Sequence, residues 1–440
     1  MKGGIVQRPE QVTWWHLYPL GFLGATVRPD EVDGADSAQR EIAPVRTLAS
    51  LIPWLDYAAG MGIGGILLGP IFLSSTHGYD TLDHLRVDPR LGTEADFDAL
   101  AAACAERGLH LALDGVFNHV GAEHPWVLDA RENGPDSPGA AFVDVDQVFE
   151  GHAGLVTLRH DAEPVRAYTA EVMAHWLGRG ATAWRLDAAY AVPTDFWADV
   201  LGRTRATHPD AWFLAEVIHG DYAAFASAST ADTVTQYELW KATWSALADR
   251  NLFELDWTLK RHLEFAESFT PATFVGNHDV TRIATSVGVD GAIAALAILM
   301  TIPGTPTIYA GDEVALRGLK EERIGGDDAV RPEFPDAPWD SVADAEAGGT
   351  LPEGAERMFD AHRALIALRQ ARPWLVTATV EVTSLANERM TYRASGVDGG
   401  GAEQTDAIDV VIDLTGTPSA SVSDASGHVL WASAYPAATP

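Results

Sequence analysis

At 440 residues, 47% of them hydrophobic, the chain exceeds a typical single domain and can fill one large α/β barrel of roughly 250 to 400 residues plus a small appendage. Thirty Lys and Arg against 62 Asp and Glu leave a net charge of −32. Such an acidic surface argues against nucleic acid or an anionic membrane as partner and leaves neutral or cationic ligands.

The opening residues Met1–Glu10 contain no apolar leader, and no uncharged apolar run reaches the ~18 residues of a membrane span. With a single cysteine, Cys104, no intrachain disulfide can form. The expectation is a soluble cytoplasmic protein. Strand-like apolar runs then alternate with helical patterns, the signature of repeated βα units and a parallel sheet. Residues 12–21 read as the first strand and 45–60 as its helix. Residues 64–72 form the second strand, followed by a helix from Thr93 to Arg107 that opens on a capping signal, Thr93-Glu94-Ala95-Asp96. The third strand covers 109–117. A polar excursion with Gly and Pro runs from 120 to 159, before a helix over 163–178.

Further strands are expected at 182–190, 212–218, 233–239, 273–278 and 306–311. Eight such units predict a closed (β/α)8 TIM barrel. Past Pro373 the pattern changes to short runs of period two between Gly-, Ser- and Asp-rich turns, predicting a small C-terminal β domain with a mobile loop over 396–405. The chain thus divides into a catalytic barrel (1–119 and 160–371), a short inserted excursion (120–159) and a β domain (372–440).

In a barrel of this kind, chemistry gathers at the C-terminal ends of the strands. Those ends carry Tyr79-Asp80, Asp114 through Asn118-His119, Arg185-x-Asp187, Glu216, Asn277-His278-Asp279 and Asp312-Glu313. Any one of them reads as a cap or solvated turn. Together they place like charges at one mouth, which is destabilising and persists where function requires it. Alternation puts Arg185 and Asp187 on one face of their strand, either as a structural salt bridge or as a carboxylate nucleophile kept ionised by a guanidinium. Glu216, flanked by Leu214, Ala215 and Val217, is expected in apolar surroundings that raise its pKa and suit a proton donor. Asp279, beside His278, is a third group for substrate hydroxyls. A carboxylate set of this kind suits glycoside hydrolysis through an oxocarbenium-like transition state. Fourteen Trp supply aromatic faces on which sugar rings can stack.

These segments, in this order and on these strands, resemble the α-amylase family, glycoside hydrolase family 13, over roughly residues 13–371. The resemblance implies Asp187 as nucleophile, Glu216 as general acid/base and Asp279 as transition-state stabiliser. It implies Tyr79, Asp80, His119, Arg185 and His278 as the lining of the subsite for the attacked sugar, with Arg331 contributed by the loop 327–334, which is similar to the pocket-closing segment of exo-acting members. Asn118 stands where family members often hold calcium, so it is a candidate ligand, and no cofactor is required. The sequence departs from the family pattern after the nucleophile, where Ala188-Ala189-Tyr190-Ala191 replaces a Lys-His pair, and in its short excursion.

The implied activity is retaining hydrolysis of short α-glucosides, α-1,4 links foremost, with a small oligosaccharide as partner. Transglycosylation and endo-acting amylase activity use the same residues. A catalytically dead relative should have lost a carboxylate, and a metal-dependent hydrolase using His119 and His278 would fail in excess chelator.

Overall fold

In the computed structural model, residues 7–28, 46–323, 325–397 and 405–433 are described. Eight short parallel strands form the barrel: Trp14–Leu17, Gly65–Leu68, His110–Gly115, Ala183–Leu186, Trp212–Ala215, Thr233–Val234, Ala272–Phe274 and Thr305–Tyr309. Counted along the chain, they lie in the order sixth, fifth, fourth, third, second, first, eighth, seventh. A single bridge, Thr235 to Ala272, joins the sixth to the seventh and closes the barrel. The expected (β/α)8 fold is therefore present.

Strand alternation explains the two cores. On the first strand Trp14 points inward and stacks on Trp212 across the barrel at 5.4 Å, whereas Trp15 points outward against Phe22 and Trp54. Gly65 makes room for the inner tryptophan, because a Cβ there would lie 2.6 Å from the Trp14 ring. The helix after the second strand is Glu94–Glu106, and Thr93 and Asp96 cap it reciprocally, with the Thr93 N–H donating to Asp96 at 2.8 Å.

Strands prove shorter than the apolar runs that announce them. The sixth is only two residues long and gives way to a helix at Tyr237–Ala248, where 233–239 reads as one strand by sequence. Its Gln236 side chain accepts from the Leu239 N–H and caps the helix, a local bond that the apolar pattern does not reveal.

The excursion after the third strand carries a three-stranded antiparallel sheet, His119–Gly121, Val143–Val148 and Leu155–Leu158. The C-terminal part is a five-stranded antiparallel meander, Thr379–Ala386, Arg389–Val397, Thr405–Asp413, Ser419–Asp424 and Val429–Ala432. Most of the loop expected at 396–405 lies outside the described residues. The meander packs on the helix Ile283–Thr301, where the Thr301 and Tyr392 hydroxyls meet at 2.5 Å. That helix is apolar and long enough to cross a membrane, but it is interrupted by Asp290 and two-thirds buried inside the molecule.

Candidate active site

Arg185 lies at the centre of the site, buried and inward-facing on the fourth strand. Its Nη1 donates to Asp114 from the third strand at 2.6 Å and to Asp187 at 3.2 Å, and its Nη2 contacts Glu216 Oε1 at 2.6 Å. One guanidinium thus holds three buried carboxylates. Taking it out of water costs several kcal/mol, which only this paired geometry offsets. Burial works against its charge, yet Asp114 and Glu216 overcome that and raise its pKa well above the ordinary value.

The carboxyl on Asp187 is pushed well up, first by burial and then by the charge of Glu216, with Arg185 opposing. Asp114 is raised to about 6 by burial, against the pull of Arg185. Three acids sharing one cation favour retention of a proton within the cluster.

Two expectations are corrected here. Burial and the charge of Glu216 outweigh the pull of Arg185, so the guanidinium does not hold the Asp187 pKa low. Nor do apolar surroundings enclose Glu216: its carboxylate accepts from Arg185, from the Ala188 N–H at 3.0 Å and from the Tyr237 hydroxyl at 3.0 Å. The reason is alternation, since chain neighbours on a strand project to the opposite face and leave Glu216 among inward groups of other strands.

Asp279 follows the seventh strand and is fixed from two sides. Arg331 Nη2 donates to its Oδ1 at 2.7 Å, and His278 Nε2 lies 3.1 Å from its Oδ2. Arg331 also donates to the His278 carbonyl at 2.9 Å and lies over the Tyr18 ring at 4.7 Å. The His278 ring lies parallel to the Tyr18 and Tyr79 rings, and its Nε2 meets the Tyr79 hydroxyl. Burial, aided by the Arg331 and Arg185 charges, holds His278 well below the ordinary histidine range, so it is neutral. Tyr79 donates in turn to Asp114 at 3.1 Å.

The remaining sequence candidates form an outer layer. Asp80 accepts from the Thr76 N–H at 3.1 Å and its hydroxyl at 2.6 Å, which fixes the loop that carries Tyr79. His119, lowered to about 4 by burial, has Nδ1 against Asn118 at 3.0 Å and Nε2 against the Tyr79 carbonyl at 3.1 Å. Both ring nitrogens are thus engaged by the protein. Asn118 is tied to His119 by its side chain and to the Leu158 N–H by its carbonyl. Among the described residues no three His, Cys, Asp or Glu side chains are grouped to hold a metal.

Asp312 and Glu313 turn away from the mouth, because Gly311 enters the left-handed region at φ 94° and reverses the chain. Asp312 pairs with Arg282 at 2.8 Å, and Glu313 accepts from Gly311 N–H at 2.8 Å and Tyr57 at 3.2 Å. Burial raises these two acids to about 6 and about 7.

Sequence reading missed Tyr237, which holds Glu216 and accepts from Asn277 at 2.9 Å, and His16, buried 4.9 Å from the His278 ring. Tyr237 sits in a helix start that reads as strand. His16 carried a signal in its place, a polar residue at an inward position of the first strand.

Comparison with known proteins bears on this geometry. The family model described as alpha amylase, catalytic domain, matches residues 33–151 and 147–363. The chain is 29% identical over 351 residues to the maltogenic alpha-amylase of Bacillus acidopullulyticus, covering 72% of this chain and 59% of that protein. It spans about three fifths of the length of such curated relatives. The debranching enzyme of Nostoc punctiforme has a similar structure, with a TM-score of 0.74 and 26% identity over 95% of this chain and 92% of that one. The cyclic alpha-maltosyl-(1-->6)-maltose hydrolase of Arthrobacter globiformis shares the fold, with a TM-score of 0.75 and 24% identity over 92% and 90% of the two chains.

Proposed function

The chain belongs to the α-amylase family, and from that premise we propose that it is a retaining glycoside hydrolase acting on short α-glucosides, α-1,4-linked foremost. Asp187 attacks the anomeric carbon while Glu216 delivers its proton to the glycosidic oxygen, and the leaving sugar departs with that proton. Glu216 then takes a proton from the incoming water, or from a sugar hydroxyl where transfer replaces hydrolysis, and the sugar–Asp187 bond breaks. Asp279, aimed by Arg331 and His278, binds sugar hydroxyls most strongly as the ring flattens.

The observation that carries this reading is the sharing of one guanidinium by Asp187 and Glu216. Both terminal nitrogens of a single planar group meet these carboxyls. That closeness supports the ~5–5.5 Å separation of double displacement over the ~6.5–9.5 Å that accommodates an inverting water.

The deciding experiment follows anomeric configuration by proton NMR during cleavage of maltotriose, with chromatography of products from maltose, maltotriose, sucrose, trehalose and isomaltose. α-Configured first products from the α-1,4 substrates are expected. β-Configured products would refute double displacement, and turnover of none of these sugars would refute the activity. The balance of transfer products against free glucose and maltose separates hydrolysis from transglycosylation.

A further inference from the structure

The insert after the third strand reaches across to the turn after the fourth through a side-chain contact that the mechanism does not use. The Tyr190 hydroxyl donates to Glu150 Oε1 at 2.7 Å. Tyr190 lies three residues past Asp187, and its backbone N–H donates to the Glu216 carbonyl at 3.3 Å. Its ring is 5.9 Å from His219 and 6.5 Å from Phe149. Phe149 in turn stacks on His119 at 4.8 Å, and His119 holds the Tyr79 carbonyl. The bridge is therefore anchored at one end beside Glu216 and at the other on the wall that carries Tyr79.

Backbone conformation marks the bridge as well. Glu150, an exposed residue in a short turn, adopts φ 50° and ψ 29°, a left-handed conformation in which a side chain is strained. The neighbouring Gly151 takes φ 80° without that strain. A strained non-glycine whose side chain reaches a specific partner at a site mouth has a ready explanation in that contact.

We propose that the Glu150–Tyr190 bridge walls off the leaving-group side of the site and limits the length of the sugar chain that can be accommodated there. The inference rests on the glycosidase reading above. A proton donor delivers to the glycosidic oxygen, so the group being expelled must pass beside Glu216 and hence beside Tyr190. A single ring can lie against the Tyr190 and Phe149 faces. A longer chain has to continue through the space that the bridge closes, so the binding energy of its further rings is not available to the transition state.

The test compares kcat/KM for maltotriose and maltohexaose in the wild type, Tyr190→Phe, Glu150→Gly and Glu150→Gln. Phenylalanine keeps the ring and removes the hydroxyl, glycine removes the bridge and suits the positive φ, and glutamine keeps an acceptor for the hydroxyl. The maltohexaose-to-maltotriose ratio should rise about fivefold or more in Tyr190→Phe and Glu150→Gly and stay near wild type in Glu150→Gln. A ratio unmoved in the first two variants, or efficiency lowered equally at both lengths, would show a structural contact only and overturn the wall. A wild type that cleaves neither sugar would sink the activity reading and this inference with it, whereas a cleaving wild type with unmoved ratios sinks this inference alone.

Discussion

At the scale of single residues, the cluster is decided by where donors can fork. Arg185 serves Asp114 and Asp187 from Nη1 and Glu216 from Nη2, a planar two-ended arrangement that a lysine ammonium cannot reproduce. Arg185→Lys should therefore fold yet lose on the order of a thousandfold or more in turnover, measured as kcat on maltotriose beside a circular-dichroism melt. Near wild-type activity would reduce Arg185 to a structural role. If Glu216 is the proton donor as proposed, Glu216→Gln should abolish turnover of natural sugars while sparing the glycosylation step of aryl glycosides, whose leaving groups need little protonation. Equal single-turnover losses on both substrates would point to another acid.

At the scale of elements, the turn after the fourth strand does more than its sequence discloses. Ala188 adopts φ 44° and ψ 36°, and this left-handed kink aims its N–H at Glu216 Oε2. A β-branched side chain fits that conformation poorly, at a cost of about 1–2 kcal/mol, whereas glycine adopts it freely. Ala188→Val should lower both the melting temperature and kcat, and Ala188→Gly should keep the melting temperature at or above wild type. A valine variant that melts and turns over like wild type would refute the strain argument. Gly65→Ala tests the barrel floor in the same way: its methyl would press on Trp14 and should destabilise by about 1–3 kcal/mol in urea titration.

At the scale of the molecule, buried histidines govern the response to acid. His84, His119, His262 and His362 are fully enclosed, and burial lowers each to about 4. Since the unfolded chain protonates them near 6.5, it binds more protons than the folded one between about pH 6.5 and 4, and stability must fall as pH falls through that window. Asp114, Asp312 and Glu313, raised to about 6, 6 and 7 by burial, act with the opposite sign over a similar range. Asp187, also raised, stands with the acids, but the histidines prevail by number, because His16 and His278, both held well below the ordinary range, and His124, lowered to about 3, join them. Differential scanning fluorimetry should show a melting temperature that drops steadily from pH 6.5 to pH 4.5. A flat or rising profile would show that the acids dominate.

Much of this was legible in the chain itself. Period-two and helical patterns, with Gly and Pro between them, specify eight βα units because each element must bury one face, and that demand is local. The ordered strand-end motifs likewise bring Asp114, Asp187, Glu216 and Asp279 to one mouth, since a barrel gathers its strand ends whatever the loops do. What only the folded chain decided are contacts between residues far apart in sequence. The sharing of Arg185 among three acids, the hold of Tyr237 on Glu216, the pairing of Asp312 with Arg282 and of Glu313 with Tyr57 and the reach of Glu150 to Tyr190 follow from side-chain direction and distance across strands. A one-dimensional pattern states which face a residue occupies, but the electrostatics of a buried charge depend on which groups meet it within a few ångströms, and those come from other turns of the barrel.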